Sequence, residues 1–238
     1  WVLFAVGAYT LNAVNGVLDK FMLSKRVGEP LAYAFYSSLT SLLVVVLIPF
    51  GVHFLDVKTL VFALISGIGF SIALYFYFQA IKASSVSRIL PIEGGFIPVF
   101  TLILAAVFLN EQLTIMQYVA FIFLVLGAIV ISVKKESHHL HPVALMSAVL
   151  AAASFAVSFT SLKFVYMHTN FISGLFWSRM GMGFVPLIIL LTPLRKRLVK
   201  VGEKSSNSSR GIFVFSKVAA ACSTLLENWA ISLGSVTL

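Results

Sequence analysis

The sequence predicts an all-α integral membrane protein that contains an inverted repeat of five transmembrane helices. Hydrophobic residues make up 60% of the 238 residues and charged residues only 11%, whereas soluble domains carry about 25% charged residues. The apolar residues form runs of about 20, which is the length that a helix needs to cross a bilayer. Related residue patterns recur in the two halves of the chain, which indicates an internal repeat.

Eight apolar runs are candidates for membrane-spanning helices. Short polar turns connect most of them, and the one longer connection, residues 194–210, is basic and rich in serine. No segment is suited to form a separate soluble domain. The runs cover roughly residues 1–23, 31–52, 58–82, 86–109, 114–133, 142–166, 171–193 and 212–234.

The internal repeat defines the domain organisation. AIKASSV at 80–86 aligns with AISLGSV at 230–236, and Lys20 aligns with Lys163. We therefore predict a first repeat of helices 1–5 over residues 1–135 and a second, truncated repeat of helices 6–8 over residues 141–238. Because five helices per repeat is an odd number, the two copies face opposite ways across the bilayer. The symmetry predicts two further helices, and thus ten in the intact protein.

The basic residues predict the orientation. The net charge of +9 comes from Lys and Arg in loops, which is typical of membrane topology and does not indicate a nucleic-acid partner. These residues follow odd-numbered helices, and only Lys58 follows an even-numbered one. The positive-inside rule then predicts that the loops after odd-numbered helices are cytoplasmic and that the N-terminal end is external.

Residues 80–132 carry a further pattern. An A-x-x-x-[AS]-S run at 80–85 is followed by Pro91, by Glu111 with Thr114 after the fourth helix, and by Gly127 in the fifth. This pattern resembles the EamA repeat of the drug/metabolite transporter (DMT) superfamily. The resemblance implies export of small metabolites or drugs, with the substrate between the two repeats. The family usually has both termini in the cytoplasm, which conflicts with the charge count.

Helix 1 carries a polar stripe. Asn12, Asn15 and Asp19 are spaced by three and four residues, so they share one helical face, and Lys20 follows. In lipid such a face lies against the bundle interior or a water-filled cavity. We assign Asn12 and Asn15 to the substrate pathway, and Asp19 and Lys20 to gating or ion coupling. The alternative is hydrogen bonding between helices, which contributes only about 0.6 kcal/mol per contact.

Glu93 lies about seven residues into helix 4, between Pro91 and Gly94. Burial of a charged carboxylate at such a depth in the bilayer costs several kcal/mol, so we expect this side chain to have an ion-pair partner or a functional role. Lys20 and Lys82 lie at the same ends of their helices and are possible ion-pair partners. We assign Glu93 to a gate or to proton coupling, and simple neutralisation of a lysine is the alternative.

Arg179 and Glu227 lie at matching depths from the opposite face, so we predict that they pair, with Ser178 and Asn228 beside them in the substrate pathway. The inversion then gives one polar cluster per half, as alternating access requires. Two structural ion pairs are the alternative. The predicted clusters are Asp19/Lys20/Glu93 and Lys163/Arg179/Glu227.

Helix 3 contributes two further candidates. Tyr75 and Gln79 are four residues apart and well inside the span, so we assign both to the substrate pathway in an aromatic-lined cavity. Aromatic residues also serve as interfacial anchors, which is the alternative. The glycine pairs Gly67/Gly69 and Gly181/Gly183 predict close helix packing.

The expected function is that of a membrane secondary transporter, a permease for a small metabolite or drug-like solute, with export as the expected direction. We expect no enzyme activity, because the expected function is transport. No G-x-x-x-x-G-K-[ST] motif is present, so we do not expect ATP as the energy source, and the single Cys222 argues against a cysteine-based metal site. We expect no cofactor. The expected partners are the solute, membrane lipid and a proton or another coupling ion. The expected location is a prokaryotic cytoplasmic membrane.

Two alternatives stay open. A flippase for a lipid or lipid-linked sugar would share this fold. A membrane-embedded enzyme on lipid-linked substrates would need clustered acids and histidines, and only the loop with Glu136, His138, His139 and His141 offers them. A solvated turn is the simpler interpretation of that loop.

Overall fold

The computed structural model describes residues 1–108, 115–132, 141–195, 198 and 207–234. Every regular element within these ranges is helical. By length and composition, α1–α4, α6 and α7, as bounded below, could each cross a membrane. The predicted all-α integral membrane fold is therefore confirmed.

The helices follow the predicted apolar runs, and α8 begins at Asn207 rather than near residue 212. For α5 and α8 a membrane-spanning role stays a prediction. The bounds are α1 Val2–Met22, extended by a π-helical turn Leu23–Val27; α2 Pro30–Leu39, extended by a 3₁₀ helix Thr40–Phe50; α3 Val57–Ala83; α4 Val86–Phe108; α5 Ile115–Ser132; α6 Pro142–His168; α7 Phe171–Leu191; and α8 Asn207–Leu233.

Local sequence explains several helix starts. The first backbone N–H groups of a helix lack partners inside it, and acidic or amide side chains commonly accept from them. Asp56 accepts from the Thr59 N–H at 3.0 Å at the start of α3, and Asn170 accepts from the Ser173 N–H at 2.7 Å at the start of α7. The hydrogen bonds from Thr59 lower the pKa of Asp56, because they favour its charged form.

Helices α3 and α6 pack against each other as an antiparallel pair. Between α3 and α6, the Phe62 and Phe164 rings lie 4.2 Å apart, and Ser158 donates to the Ser66 carbonyl at 2.8 Å. Since Phe62 precedes Ser66 whereas Phe164 follows Ser158, the two helices run in opposite directions.

The pair α1 and α8 repeats this arrangement. Ser216 donates to Asp19 at 3.2 Å, and Ser223 donates to the Ala8 carbonyl at 2.8 Å. The later residue of α8 therefore contacts the earlier residue of α1, so these two helices are also antiparallel. In the predicted repeat, α6 corresponds to α1 and α8 corresponds to α3. The predicted two-fold symmetry would therefore relate the α3–α6 pair to the α8–α1 pair.

Helices α3 and α7 pack with their backbones in direct contact. A Cβ atom on Gly67 would lie 2.0 Å from the Ser178 carbonyl oxygen, and one on Gly181 would lie 2.9 Å from the Leu64 Cα atom. Small residues allow such approach between membrane helices. The close packing predicted for these glycines is observed.

Two lysines cap equivalent helix ends. The Lys20 ammonium donates to the carbonyls of Ile81 at 2.6 Å and Ser84 at 2.8 Å, where α3 ends. The Lys163 ammonium donates to the carbonyls of Ile231 at 3.1 Å and Gly234, where α8 ends. Carbonyls at a helix C-terminus lack intrahelical partners and attract cations. Because the aligned lysines bind aligned segments, the caps support the two-repeat interpretation.

Candidate functional site

Asp19 forms a buried hydrogen-bonded cluster that joins three helices. Its Oδ1 accepts from the Tyr33 hydroxyl at 2.6 Å and from Ser216 at 3.2 Å. The Lys217 ammonium lies 3.6 Å from the same oxygen. The cluster therefore ties α1 to α2 and, through Ser216 and Lys217, to α8.

Lys217 is also surrounded by aromatic rings. Its ammonium lies 4.5 Å from the ring centroid of Tyr33, 5.3 Å from that of Phe213 and 5.5 Å from that of Phe78. Ring faces attract cations. Lys217 was not among the site residues predicted from the sequence, although a lysine inside an apolar run is itself a signal of an internal partner.

The ion pair of Glu93 with Lys20 or Lys82, which was the alternative to a gating role, is not formed. Lys20 caps α3, and the Lys82 ammonium donates to the carbonyl of Gly28. Carbonyls at helix ends lack intrahelical partners and therefore accept hydrogen bonds from such ammonium groups. The alternative of simple neutralisation by these lysines is therefore not supported, and the assignment of Glu93 to a gate or to proton coupling stays a prediction.

Glu93 and Asn15 are instead buried without hydrogen-bond partners among the described residues. Each is 5% exposed, and the atoms concerned are Glu93 Oε1 and both Asn15 side-chain polar atoms. Buried polar atoms normally have partners, so these two side chains call for an explanation.

The two unpartnered side chains belong to one region, where α1 packs against α3 and α4. A Cβ atom on Gly16 would lie 3.1 Å from the Tyr77 hydroxyl and 3.4 Å from Leu90. Tyr77 lies within electrostatic range of both Asp19 and Glu93. We call Asn15, Asp19, Tyr77 and Glu93 the Glu93 cluster.

A cavity lies between α3, α6, α7 and α8. Its volume is about 10 Å³, which is room for about one water molecule. The lining contains one cation, Arg179, and no carboxylate. Two predicted pathway residues, Ser178 and Asn228, also line it. We call it the Arg179 cavity, and its lining residues are Ser66, Gly67, Phe70, Ser158, Phe159, Leu162, Ser178, Arg179 and Asn228.

The predicted ion pair of Arg179 with Glu227 is not formed. The Arg179 guanidinium lies 4.9 Å from the Phe70 ring centroid, and its Nη1 lies 3.4 Å from the Met182 sulfur. Glu227 lies within electrostatic range but outside salt-bridge distance. Arg179 points toward α3 because the close packing of α3 on α7 places the Phe70 ring there.

The remaining pathway candidates have different environments. The Asn12 Oδ1 accepts from Ser223 at 2.7 Å, which is the helix-to-helix contact that we gave as the alternative. The Asn228 Oδ1 accepts from the Tyr166 hydroxyl at 2.9 Å. Ser178 donates to the Leu175 carbonyl at 3.0 Å within its own helix.

Tyr75 and Gln79 are only half-buried, and neither lines the Arg179 cavity. The buried side of α3 carries Ala73, Tyr77 and Ala80 instead. Sequence spacing identified two residues on one face, but the face that meets α1 and α4 is the one with Tyr77. Tyr77 was not among the residues selected from the sequence.

Some predicted features lie outside the described residues, namely Glu111, Glu136, His138 and His139. Within the described ranges, no group of three or more His, Cys, Asp or Glu side chains could hold a metal ion.

The membrane-length helices with charged side chains buried between them define an all-α integral membrane protein. The family model described as the EamA-like transporter family matches residues 1–133, which is more than half of the chain. The chain therefore belongs to the EamA-like transporter family of the DMT superfamily. A comparison with curated proteins produced no match.

Proposed function

We propose that this protein is a proton-coupled secondary transporter that exports a small metabolite or drug-like solute by alternating access. Members of the EamA-like family are transporters. The observation that carries the mechanism is the buried carboxyl oxygen of Glu93, which has no hydrogen-bond partner among the described residues.

The Glu93 cluster lies toward the end of α3, whereas the Arg179 cavity lies near the middle of this helix. Tyr77 belongs to the first and Ser66 to the second, and these two residues are eleven positions apart, which corresponds to about 16 Å along a helix. On α8 the order is reversed, since Lys217 contacts Asp19 and Asn228 lines the cavity. Two polar regions at different depths support a site that is reached from each face in turn.

Glu93 is the proposed proton-binding residue. A charged carboxylate in this apolar setting is costly, and a bound proton removes the charge. The charge state of Glu93 therefore changes the relative stability of states in which α1 and α4 are packed together or apart. A ligand or proton shifts such an equilibrium only by its differential affinity for the two states.

The Asp19–Lys217 pair is the proposed gate at the same end. It joins α1 to α8, which belong to different predicted repeats, 1–135 and 141–238. A rotation of one repeat against the other has to separate these side chains. Lys20 and Lys163 keep the ends of α3 and α8 attached to their own repeats, so each repeat can move as a unit.

The remaining assignments belong to the same proposal. The protein has no enzyme activity and no cofactor, and it acts in a prokaryotic cytoplasmic membrane. Its partners are the solute, membrane lipid and the coupling proton, without nucleic acid. The concentration of basic residues in loops between apolar helices supports the membrane location and the absence of a nucleic-acid partner.

The test is transport by the full-length protein in proteoliposomes loaded with pooled amino acids, nucleosides or cationic dyes. We expect an imposed pH gradient to drive solute flux in the wild type and in Glu29→Gln, a control in a carboxylate between α1 and α2. Glu93→Gln should lose this pH-driven flux and keep counterflow exchange. Full pH-driven flux in Glu93→Gln would remove Glu93 from the mechanism, and no flux of any pool would favour a lipid flippase.

A further inference from the structure

We propose that the Arg179 cavity binds one water molecule, which gives the buried Arg179 guanidinium an oxygen partner and joins α6, α7 and α8. Such a site goes beyond the proposed function, because it would hold Arg179 in place whether or not Glu93 binds the coupling proton.

The size and polarity of the cavity are the first argument. Its volume of about 10 Å³ is room for about one water molecule and is too small for a solute. Apolar cavities of proteins stay dry, whereas small spaces lined by polar groups hold ordered water. Four neutral polar residues line this cavity, and each is between 1% and 3% exposed, namely Ser66, Ser158, Ser178 and Asn228.

Arg179 supplies the first hydrogen-bond partner of the water. Its Nε is buried and has no hydrogen-bond partner among the described residues. The guanidinium instead lies over the Phe70 ring, and its Nη1 lies beside the Met182 sulfur, which is only a weak acceptor. A buried N–H group without an acceptor is costly, and a water oxygen in the cavity would accept from it.

Ser158 and Ser178 supply acceptors for the two hydrogens of the water. Ser158 donates its hydroxyl hydrogen to the Ser66 carbonyl at 2.8 Å, and Ser178 donates its own to the Leu175 carbonyl at 3.0 Å. Each hydroxyl oxygen still has two lone pairs that can accept. The Ser66 hydroxyl, which lies 3.4 Å from that of Ser158, can use only one of them. The free groups of both serines in the cavity are therefore acceptors.

Asn228 supplies a second donor. Its Oδ1 accepts from the Tyr166 hydroxyl at 2.9 Å, and its Nδ2 donates one hydrogen to the Thr224 carbonyl at 2.6 Å. An amide nitrogen carries two hydrogens, so one N–H of Asn228 is not used in these contacts. The cavity thus offers two N–H donors and two hydroxyl acceptors, which match the two lone pairs and the two hydrogens of a single water molecule.

Glu227 and the water have different roles toward Arg179. Glu227 lies within electrostatic range of the guanidinium, but it forms no salt bridge with it and is not part of the cavity lining. At that distance its charge offsets part of the cost of burying a cation, yet it cannot accept a hydrogen bond from the Nε–H group. We therefore expect the water to stay bound when the charge of Glu227 is removed.

The first experiment is X-ray footprinting of the purified full-length protein in nanodiscs, with oxidation of each side chain measured by mass spectrometry. X-rays produce hydroxyl radicals from bound water as well as from bulk water, and these radicals oxidise the side chains beside them. Leu162 lines the cavity and is 3% exposed, and Leu175, which does not line it and is 4% exposed, is the matched control. We expect Leu162 to be oxidised at least about threefold faster than Leu175. Equal rates would overturn the proposal.

The double variant Ser158→Ala/Ser178→Ala separates a bound water from simple access of radicals. It enlarges the cavity but removes both hydroxyl acceptors, so we expect the oxidation rate of Leu162 to fall toward that of Leu175. Ser223→Ala, a change of a fully buried serine in α8, is the control and should leave the two rates unchanged. An equal or higher rate for Leu162 in the double variant would overturn the proposal. If the double variant does not fold, the two rates in the wild type still decide.

Glu227→Gln tests whether Arg179 or the neighbouring carboxylate holds the water. We expect Leu162 to keep its faster oxidation in this variant, because the partners of the water line the cavity and Glu227 does not. A rate for Leu162 that falls to that of Leu175 would overturn the assignment, since the carboxylate would then be the group that holds the water.

Discussion

The Asp19 carboxylate and the Lys217 ammonium form an ion pair between the first and the last described helices, at 3.6 Å, with side chains that are 9% and 12% exposed. Asp19 also accepts from Tyr33, and the Tyr33 ring lies beneath the Lys217 ammonium. The three side chains therefore hold α1, α2 and α8 together. Removal of one charge from such a pair leaves the other buried and uncompensated, which is more damaging than removal of both.

Asp19→Asn should therefore destabilise the protein more than the double change Asp19→Asn/Lys217→Met. We expect a loss of about 3 kcal/mol for the single change and a partial recovery in the double. Thermal midpoints of the purified proteins in one detergent give the comparison. A double variant that loses the sum of both single losses would show that the two side chains act independently.

Lys20→Met and Lys163→Met should have similar effects, because both ammonium groups cap helix C-termini. Each loses hydrogen bonds from a charged donor, and we expect a loss of about 1–2 kcal/mol in each case. Lys25→Met, which changes an exposed lysine in the turn after α1, is the control. Thermal unfolding of the three variants checks this. If Lys163→Met behaves like Lys25→Met, the equivalence of the two caps is wrong.

Gly67→Ala should prevent the native packing of α3 on α7, since its Cβ would lie 2.0 Å from a backbone oxygen. A backbone atom cannot move aside as a flexible side chain can. Gly94→Ala is the matched control within α4, because no atom lies within 4 Å of its Cβ position. The yield of monodisperse protein in size-exclusion chromatography measures both. A normal yield for Gly67→Ala would contradict the contact.

Asp56→Ala should be less stable than the wild type at pH 7, and the difference should shrink in acid. The Thr59 hydrogen bonds lower the folded-state pKa of Asp56 below its ordinary value of 3.8, so the folded state favours the carboxylate. This contribution is complete above pH 3.8 and is lost as the pH falls through the lowered pKa. Asp56→Asn keeps a capping side chain at every pH and serves as the control. Midpoints that differ equally at pH 7 and pH 3 would contradict this assignment.

Much of the fold could be predicted from the sequence, because membrane helices are local features. A run of about 20 apolar residues has to satisfy its backbone within itself in lipid, so its presence alone predicts a helix. The described helices follow the predicted runs, and the glycine pairs correctly predicted where backbones approach. The aligned Lys20 and Lys163 bind equivalent segments, which supports the repeat read from AIKASSV and AISLGSV.

The candidate site was only partly predictable. Depth along a helix follows from residue number, and so Arg179, Ser178 and Asn228 were correctly expected at one level of the bundle. The direction of a long side chain does not follow from depth. Lys20 and Lys163 turned to helix-end carbonyls, and Arg179 turned to Phe70.

The sequence by itself determined the class of fold, the helices and the depth of each polar residue, since these depend on the chain's own backbone and on lipid. Only the tertiary structure decided which charges meet. The rotation of each helix about its axis placed Lys217 against Asp19 and left Glu93 and Arg179 without ion-pair partners among the described residues. That rotation results from packing between helices far apart in sequence, with close contacts such as Gly67 on Ser178, and no local pattern encodes it.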